Sequence, residues 1–179
     1  DETSIDLGAK IARATKAAMG ETYPDSAVDD ILFWMESKGR LGRKAKAGFF
    51  RYDAQGKRLG YWEGLSAQYP LAARQPDLID VQHRLIFVQS LEAVRALEEN
   101  VLMDIREGDV GAILGWGFAP WSGGPFSWLD ILGSPYAAER CDQLHHAYGD
   151  RFACPDLLRS MASKGQSFYG QAKKAQSAA

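Results

Sequence analysis

The sequence predicts an all-α chain in which one helical unit occurs twice, the first time incompletely. Three observations point there. Apolar residues recur every three or four positions over most of the chain, glycines fall where those runs end, and two segments overlay when shifted by 129 residues. A short β-hairpin near residues 48–59 is the expected departure.

Taken in order, the first helix is expected over residues 4 to 19. Ser4 suits its N-cap, Leu7, Ile11, Ala14 and Ala18 form an apolar stripe, and Gly20 ends it. A second helix runs from Ser26, its cap, to Lys38, with Val28, Ile31, Leu32 and Met35 as its stripe and Gly39 as its stop. Gly48 to Tyr52 reads as an aromatic strand, Asp53 to Gly56 as a turn and Lys57 to Leu59 as the return. Residues 63–76 carry two prolines and read as a linker. From Pro76 to Gly108 no Gly or Pro interrupts the chain, so a central helix is expected there. Pro76 suits its first position, and Leu78, Val81, Leu85, Val88, Leu91, Val94 and Leu97 trace its face. Asp104 and Glu107 resemble a capping box, though Gly108, Gly111 and Gly115 weaken the helix that follows. After a loop over 118–125, helices are expected from Phe126 to Leu132, from Ser134 with Ala137, Cys141, Leu144 and Tyr148 as its face, and from about Pro155 to Lys164. The end beyond Gly170 is small and polar.

In the repeat, Asp1 falls on Asp130, Met19-Gly20 on Tyr148-Gly149 and Tyr23 on Phe152. After a gap of three residues, Asp30-Ile31-Leu32 falls on Asp156-Leu157-Leu158 and Met35 to Gly39 on Met161 to Gly165. Matching spacing on both sides of one gap favours duplication over chance. Residues 1–60 then correspond to the second half of a first copy, whose long helix and Gly-Gly-Pro-Phe loop are expected upstream.

Composition bounds the function. Of 179 residues, 46% are hydrophobic and 25% charged, so the chain can bury a core. A net charge of -2 argues against a nucleic-acid partner. Two cysteines are too few for a disulfide scaffold, and no apolar run reaches membrane-spanning length. The polar first residues do not read as a signal peptide. Without an initial Met, the chain is read as a piece of a longer protein.

The chain holds neither a G-x-G-x-x-G nor a Walker sequence, so NAD binding by this chain alone is not expected. Cys141 and His145 share a helix face, yet further metal ligands are missing and no metal site is assigned. His83 reads as solvated, and Trp116, Trp121 and Trp128 as core or interface anchors. Arg40, Arg43, Lys44 and Lys46 lie in a glycine-rich loop that can hold a phosphorylated ligand or simply face solvent. The segment Gly123, Gly124, Pro125 and Phe126 can line an apolar cleft or pin one helix on another.

Two of these segments carry a resemblance. Gly39-Arg40-Leu41-Gly42-Arg43-Lys44-Ala45-Lys46-Ala47-Gly48-Phe49-Phe50-Arg51-Tyr52 resembles the G-R-x-G-x-K-x-x-x-G-F-Y-x-Y motif that ends the first C-terminal domain of 3-hydroxyacyl-CoA dehydrogenases, with Phe50 where the family usually has Tyr. Asp109, Gly115, Gly117, Phe118, Pro120, Gly123, Gly124, Pro125 and Asp130 resemble the family's second helical copy. Two copies in tandem resemble the multifunctional fatty-acid β-oxidation enzymes, in which an enoyl-CoA hydratase/isomerase domain and an NAD-binding Rossmann domain precede the helical region. The resemblance implies a parent that oxidises L-3-hydroxyacyl-CoA to 3-ketoacyl-CoA with NAD. Its catalytic His–Glu pair lies in the Rossmann domain, so no catalytic residue is assigned here, and NAD is a cofactor of the parent alone. The same resemblance implies that the helical region closes the acyl-CoA cleft, contacts its own Rossmann domain and takes part in a homo-oligomer. A bacterial cytoplasm is the expected location, an organelle the alternative. The expected organisation is residues 1–62 as the second half of a first C-terminal helical domain, 63–76 as linker, 77–170 as a second such domain and 171–179 as a flexible tail. The competing functional reading is a non-catalytic helical interaction module.

Overall fold

The computed structural model describes residues 1–24 and 26–170. The predicted tail, 171–179, lies outside the described residues. The chain forms two compact units, Asp1–Gln75 and a second beginning at Pro76. The secondary structure is mostly helical with one two-stranded antiparallel sheet, as the apolar periodicity predicts.

In the first unit, α1 (Ile5–Met19) packs against α2 (Ala27–Ser37). Ser26 caps α2 by accepting the Val28 amide at 3.2 Å. The cap expected at Ser4 does not form. Its hydroxyl donates to the Leu41 carbonyl at 3.3 Å instead, and its backbone takes a positive φ of 77°. The predicted stripe of α1 is also corrected: Ile5, Ala9 and Ala12 are buried, while Leu7 and Ile11 are 49% and 57% exposed. On α2 only Met35 is fully enclosed, and Val28 is exposed.

The hairpin pairs β1 (Phe50–Tyr52) with β2 (Arg58–Tyr61), with a bulge between Arg51 and Tyr52. Its turn is tied by Asp53, whose Oδ1 accepts the Gln55 and Lys57 amides at 2.9 and 2.8 Å. Phe50 stacks on Tyr61 at 4.5 Å, a cross-strand aromatic pair. The segment read as linker opens with a short helix, α3 (Glu63–Gln68), because Trp62 stacks on Trp34 and Tyr69 meets the same ring edge-on. Those contacts hold both ends of α3 on α2.

In the second unit, α4 (Leu78–Glu98) is the longest helix. Its cap is Asp77, which accepts the Ile79 and Asp80 amides at 2.9 and 3.1 Å, so Pro76 precedes the helix and does not open it. Its buried face is Phe87, Ser90, Leu91 and Val94. Of the predicted stripe, Leu78, Leu85 and Val88 remain exposed. Next comes α5 (Ile105–Trp116), capped by Asp104 through the Arg106 amide at 2.8 Å. It is a regular helix despite its glycines. Gly108 faces α6 (Pro125–Leu132) closely, since a Cβ there would stand 2.6 Å from the Phe126 ring. The helices α7 (Ser134–Tyr148) and α8 (Asp156–Lys164) pack on one another and complete the core with Leu144, Leu158 and Met161.

The two units share a plan. Both α1 and α7 have 15 residues, start and end 129 positions apart, and run through a glycine into a single 3-10 turn. The glycines that follow α2 and α8, Gly39 and Gly165, take left-handed φ values of 68° and 60°. This geometry supports the duplication inferred from the overlay.

Candidate functional site

The first predicted site is the basic loop between α2 and β1. Arg40 is committed to the fold: its Nε donates to the Gly48 carbonyl at 2.7 Å, its Nη2 to that of Phe50 at 3.0 Å, and its guanidinium stacks 4.2 Å from the Trp62 ring. Lys44 pairs with Asp6 at 2.7 Å, and together with the Ser4 hydroxyl this contact holds the Asp6 pKa down at about 2. Arg43 faces Glu2 at 3.3 Å, and Lys46 donates to the Ala54 carbonyl. Arg43, Lys44 and Lys46 are exposed, while Arg40 is half-buried.

The loop is seated by Asp1. One carboxylate oxygen accepts the Phe49 amide at 2.9 Å; the other accepts the Phe50 amide at 3.1 Å and the Tyr52 hydroxyl at 2.7 Å. Gly42 and Gly48 leave room for it. A Cβ on Gly42 would meet the Asp1 carbonyl oxygen at 2.5 Å, and one on Gly48 would meet the carboxylate. The glycine spacing of the loop is therefore a packing requirement.

The second predicted site, Gly123 to Phe126, belongs to the other unit. Gly123 is exposed, but Gly124, Pro125 and Phe126 are buried. The residue that organises them is Asp109, itself 2% exposed. It accepts the Phe126 amide at 2.8 Å, the Ser127 amide at 3.1 Å, the Ser127 hydroxyl at 2.6 Å and the Tyr169 hydroxyl at 2.8 Å. These donors include orphan amides of the first turn of α6, which a carboxylate satisfies well. Of the two readings of the segment, the burial supports the pin between helices. Asp130 repeats the device, accepting the Phe168 and Tyr169 amides at 2.8 and 2.9 Å. The overlay had matched Asp1 with Asp130, and both hold two consecutive aromatic amides. Their partners follow at different distances: Phe49 lies ten residues after Gly39, Phe168 three after Gly165. The basic loop thus makes this segment of the first copy longer than its counterpart in the second.

A polar network that sequence reading missed joins α4 to α7. Asp80 accepts Arg140 at 2.5 Å and the Tyr148 hydroxyl at 2.6 Å; the Tyr148 bond, then the Arg140 contact, lower its pKa against burial. Arg140 Nε donates to His83 Nδ1 at 3.1 Å. His83, expected in solvent, is half-buried against Phe87 and Trp128, and that burial lowers its pKa. Beside the network, Val81, Arg84, Leu85, Tyr148 and Arg151 line an open groove of about 390 Å³. Trp128 is a core anchor as expected, whereas Trp116 and Trp121 are 64% and 74% exposed. His145 pairs with exposed Asp150 at 2.9 Å and Cys141 is buried, so the two do not form a shared site. Among the described residues no group of three or more His, Cys, Asp or Glu is placed to hold a metal ion. No helix among them is long and apolar enough to cross a membrane.

No family model matches the chain. Curated relatives do. The chain is 38% identical over 172 residues to the fatty acid oxidation complex subunit alpha of Shewanella loihica, and 35% identical over 173 residues to that of Vibrio vulnificus. Each match covers 94% of this chain but only 24% and 23% of the relative, so the chain spans about a quarter of the length of the proteins it matches. Kinship with fatty-acid oxidation enzymes, expected from the two motifs, is borne out.

Proposed function

We propose that the chain is the tandem helical region of a fatty-acid β-oxidation enzyme that oxidises L-3-hydroxyacyl-CoA to 3-ketoacyl-CoA with NAD. The observation that carries the structural part is the incompleteness of the first unit. It reproduces the α7–α8 pair and the aspartate clamp, yet has no counterpart of α4 and α6 among its described residues. Leu7, Ile11 and Val28 stand exposed as a result. An upstream stretch of the parent that supplies a second long helix and Gly-Gly-Pro-Phe loop would cover them, at about 25 cal/mol for each Å² of apolar surface removed from water.

Kinship with fatty acid oxidation complex alpha subunits supports this chemistry for the parent. Within this region Arg43, Lys44 and Lys46 are the cations offered to an anionic acyl-CoA. Arg40 supports the fold of the basic loop, and the Gly124–Phe126 segment supports that of the second unit. NAD and the catalytic groups belong to the remainder of the parent, and closure of the acyl-CoA cleft and oligomer contacts are the roles left to the helices. The test is reduction of acetoacetyl-CoA by NADH, measured in parallel for the full-length parent and this chain. Activity in the parent alone is expected. Activity in the isolated chain, or none in a folded parent, would overturn the reading.

A further inference from the structure

The arginines of the second unit are Arg84, Arg95, Arg106, Arg140, Arg151 and Arg159. Four of them pair with a carboxylate: Arg95 with Glu92, Arg106 with Asp104, Arg140 with Asp80 and Arg159 with Asp142. Arg84 and Arg151 form no such pair among the described residues, and both line the same open groove of about 390 Å³. The rest of its wall is apolar or aromatic: Val81, Leu85, Val88, Tyr148 and Phe152. Leu85 and Val88 are 62% and 36% exposed although they lie well inside α4. Arg84 is half-buried, with its guanidinium carbon 4.0 Å from the centre of the Tyr148 ring. Tyr148 is fixed in turn by its bond to Asp80. Asp80 is the carboxylate whose charge reaches Arg84, and its two oxygens are already taken by Arg140 and Tyr148. Arg151 is exposed, and its carbonyl accepts from Arg95 at 3.4 Å. Helix packing does not call for these side chains. In the first unit the positions equivalent to Tyr148 and Arg151 are Met19 and Thr22, and the same helix and 3-10 turn form there.

We propose that this groove binds an amphipathic anion, an aliphatic carboxylate whose head meets the two guanidiniums and whose chain lies along Val81, Leu85 and Val88. A guanidinium presents a planar fork of donors that matches a carboxylate, and such charge-assisted bonds are the strong ones. Arg84 is held by the Tyr148 ring, so it gives up little freedom when the head arrives. Carbons laid on Leu85 and Val88 remove from water apolar surface that the fold leaves open. Head and chain both select. A short carboxylate gains nothing from the aliphatic wall, and an uncharged chain of equal length leaves the guanidiniums without an acceptor. No bond is made or broken, so the binding can hold or fail whatever reaction the parent catalyses.

The experiment titrates the full chain with octanoate in a calorimeter, alongside acetate and octanol. One saturable site for octanoate is expected, with acetate and octanol bound about tenfold more weakly or not at all. Arg84→Gln and Arg151→Gln are each expected to weaken octanoate about tenfold. Arg106→Gln, outside the groove, should leave it unchanged. In the unaltered chain the methyl NMR signals of Leu85 and Val88 should shift with the calorimetric midpoint. Absence of saturable octanoate binding would overturn the proposal. So would octanol binding as tightly as octanoate, which would make the groove an apolar patch only, or equal weakening by Arg106→Gln, the mark of a diffuse charge effect. Saturation that leaves the Leu85 and Val88 methyls unmoved would place the ligand elsewhere. Capture of the chain by phosphatidylglycerol vesicles that octanoate fails to displace would point to a membrane surface instead. The methyl shifts are read on the unaltered chain and do not depend on how any variant folds.

Discussion

The Tyr169 hydroxyl donates to Asp109 Oδ2 at 2.8 Å, joining two residues 60 positions apart through a carboxylate that also holds the first turn of α6. Removing either partner is expected to have unequal effects. Tyr169→Phe deletes one donor of four and should cost about 1 kcal/mol. Asp109→Ala leaves the Phe126 and Ser127 amides without an acceptor in the interior and should cost about 3 kcal/mol or more. Denaturant melts of the two variants check the order. Equal costs would mean that the carboxylate is not the hub described here.

The same pair gives an alkaline signature. Burial, then the bond to Asp109, raises the Tyr169 pKa from 10.0 to about 12. The unfolded chain therefore loses this proton first, and between pH 10 and about 12 the folded state binds more protons than the unfolded one. Stability contributed by the protonated phenol is complete below pH 10 and falls as pH rises through that window. Thermal melts at pH 9 to 11 should show this decline, and Tyr169→Phe should flatten it.

Gly124 is the tightest point of the α5–α6 contact. Its φ of 115° is strained for any side chain, and a Cβ would stand 2.5 Å from the Asp109 side chain. Gly124→Ala is expected to cost about 3 kcal/mol or more, since neither the backbone nor the buried carboxylate can give way cheaply. Gly111, which has open space around it, serves as the control: Gly111→Ala should be neutral or raise Tm. Comparable losses in both would count against the packing account.

At the acid end, Asp80 is the residue to watch. Its pKa is lowered by the Tyr148 hydroxyl and by Arg140. The stabilising contribution is present above the unfolded carboxylate pKa and disappears as pH falls through the lower folded value. Asp80→Asn should destabilise the chain near neutrality and narrow the stability difference from the unaltered chain as the pH drops. Urea midpoints at pH 7 and pH 3 compare the two directly. A constant difference would show that Asp80 works by packing and not by charge.

Helix boundaries were legible where a single residue sets them. Gly20, Gly39 and Gly133 stop helices as expected, and Ser26 and Asp104 cap them. The repeat was legible because it recurs in sequence and needs no knowledge of packing. Which side of each helix is buried was not. Apolar residues on α1 and α4 serve both the described core and surfaces that this core leaves open, so Leu7, Ile11 and Leu85 looked like core positions. The clamps were harder still. Asp109 and Asp130 stood out only as positions of a motif, because their partners lie 17 to 60 residues away and no spacing rule links a carboxylate to amides so remote. In the basic loop, charge suggested a ligand site. The structure shows that Arg40 answers a local demand for donors, which charge alone does not reveal.

The clamps also impose an order on assembly during synthesis. Asp109 and Asp130 leave the ribosome well before Phe168 and Tyr169, whose amides and hydroxyl complete them. At ordinary elongation rates the wait is on the order of several seconds. Throughout it these carboxylates remain hydrated and part of the second unit's core stays open to other proteins. A nascent chain of this kind is expected to need protection until its last clamp closes, and stop codons just before Phe168 should produce chains that are cleared and do not accumulate.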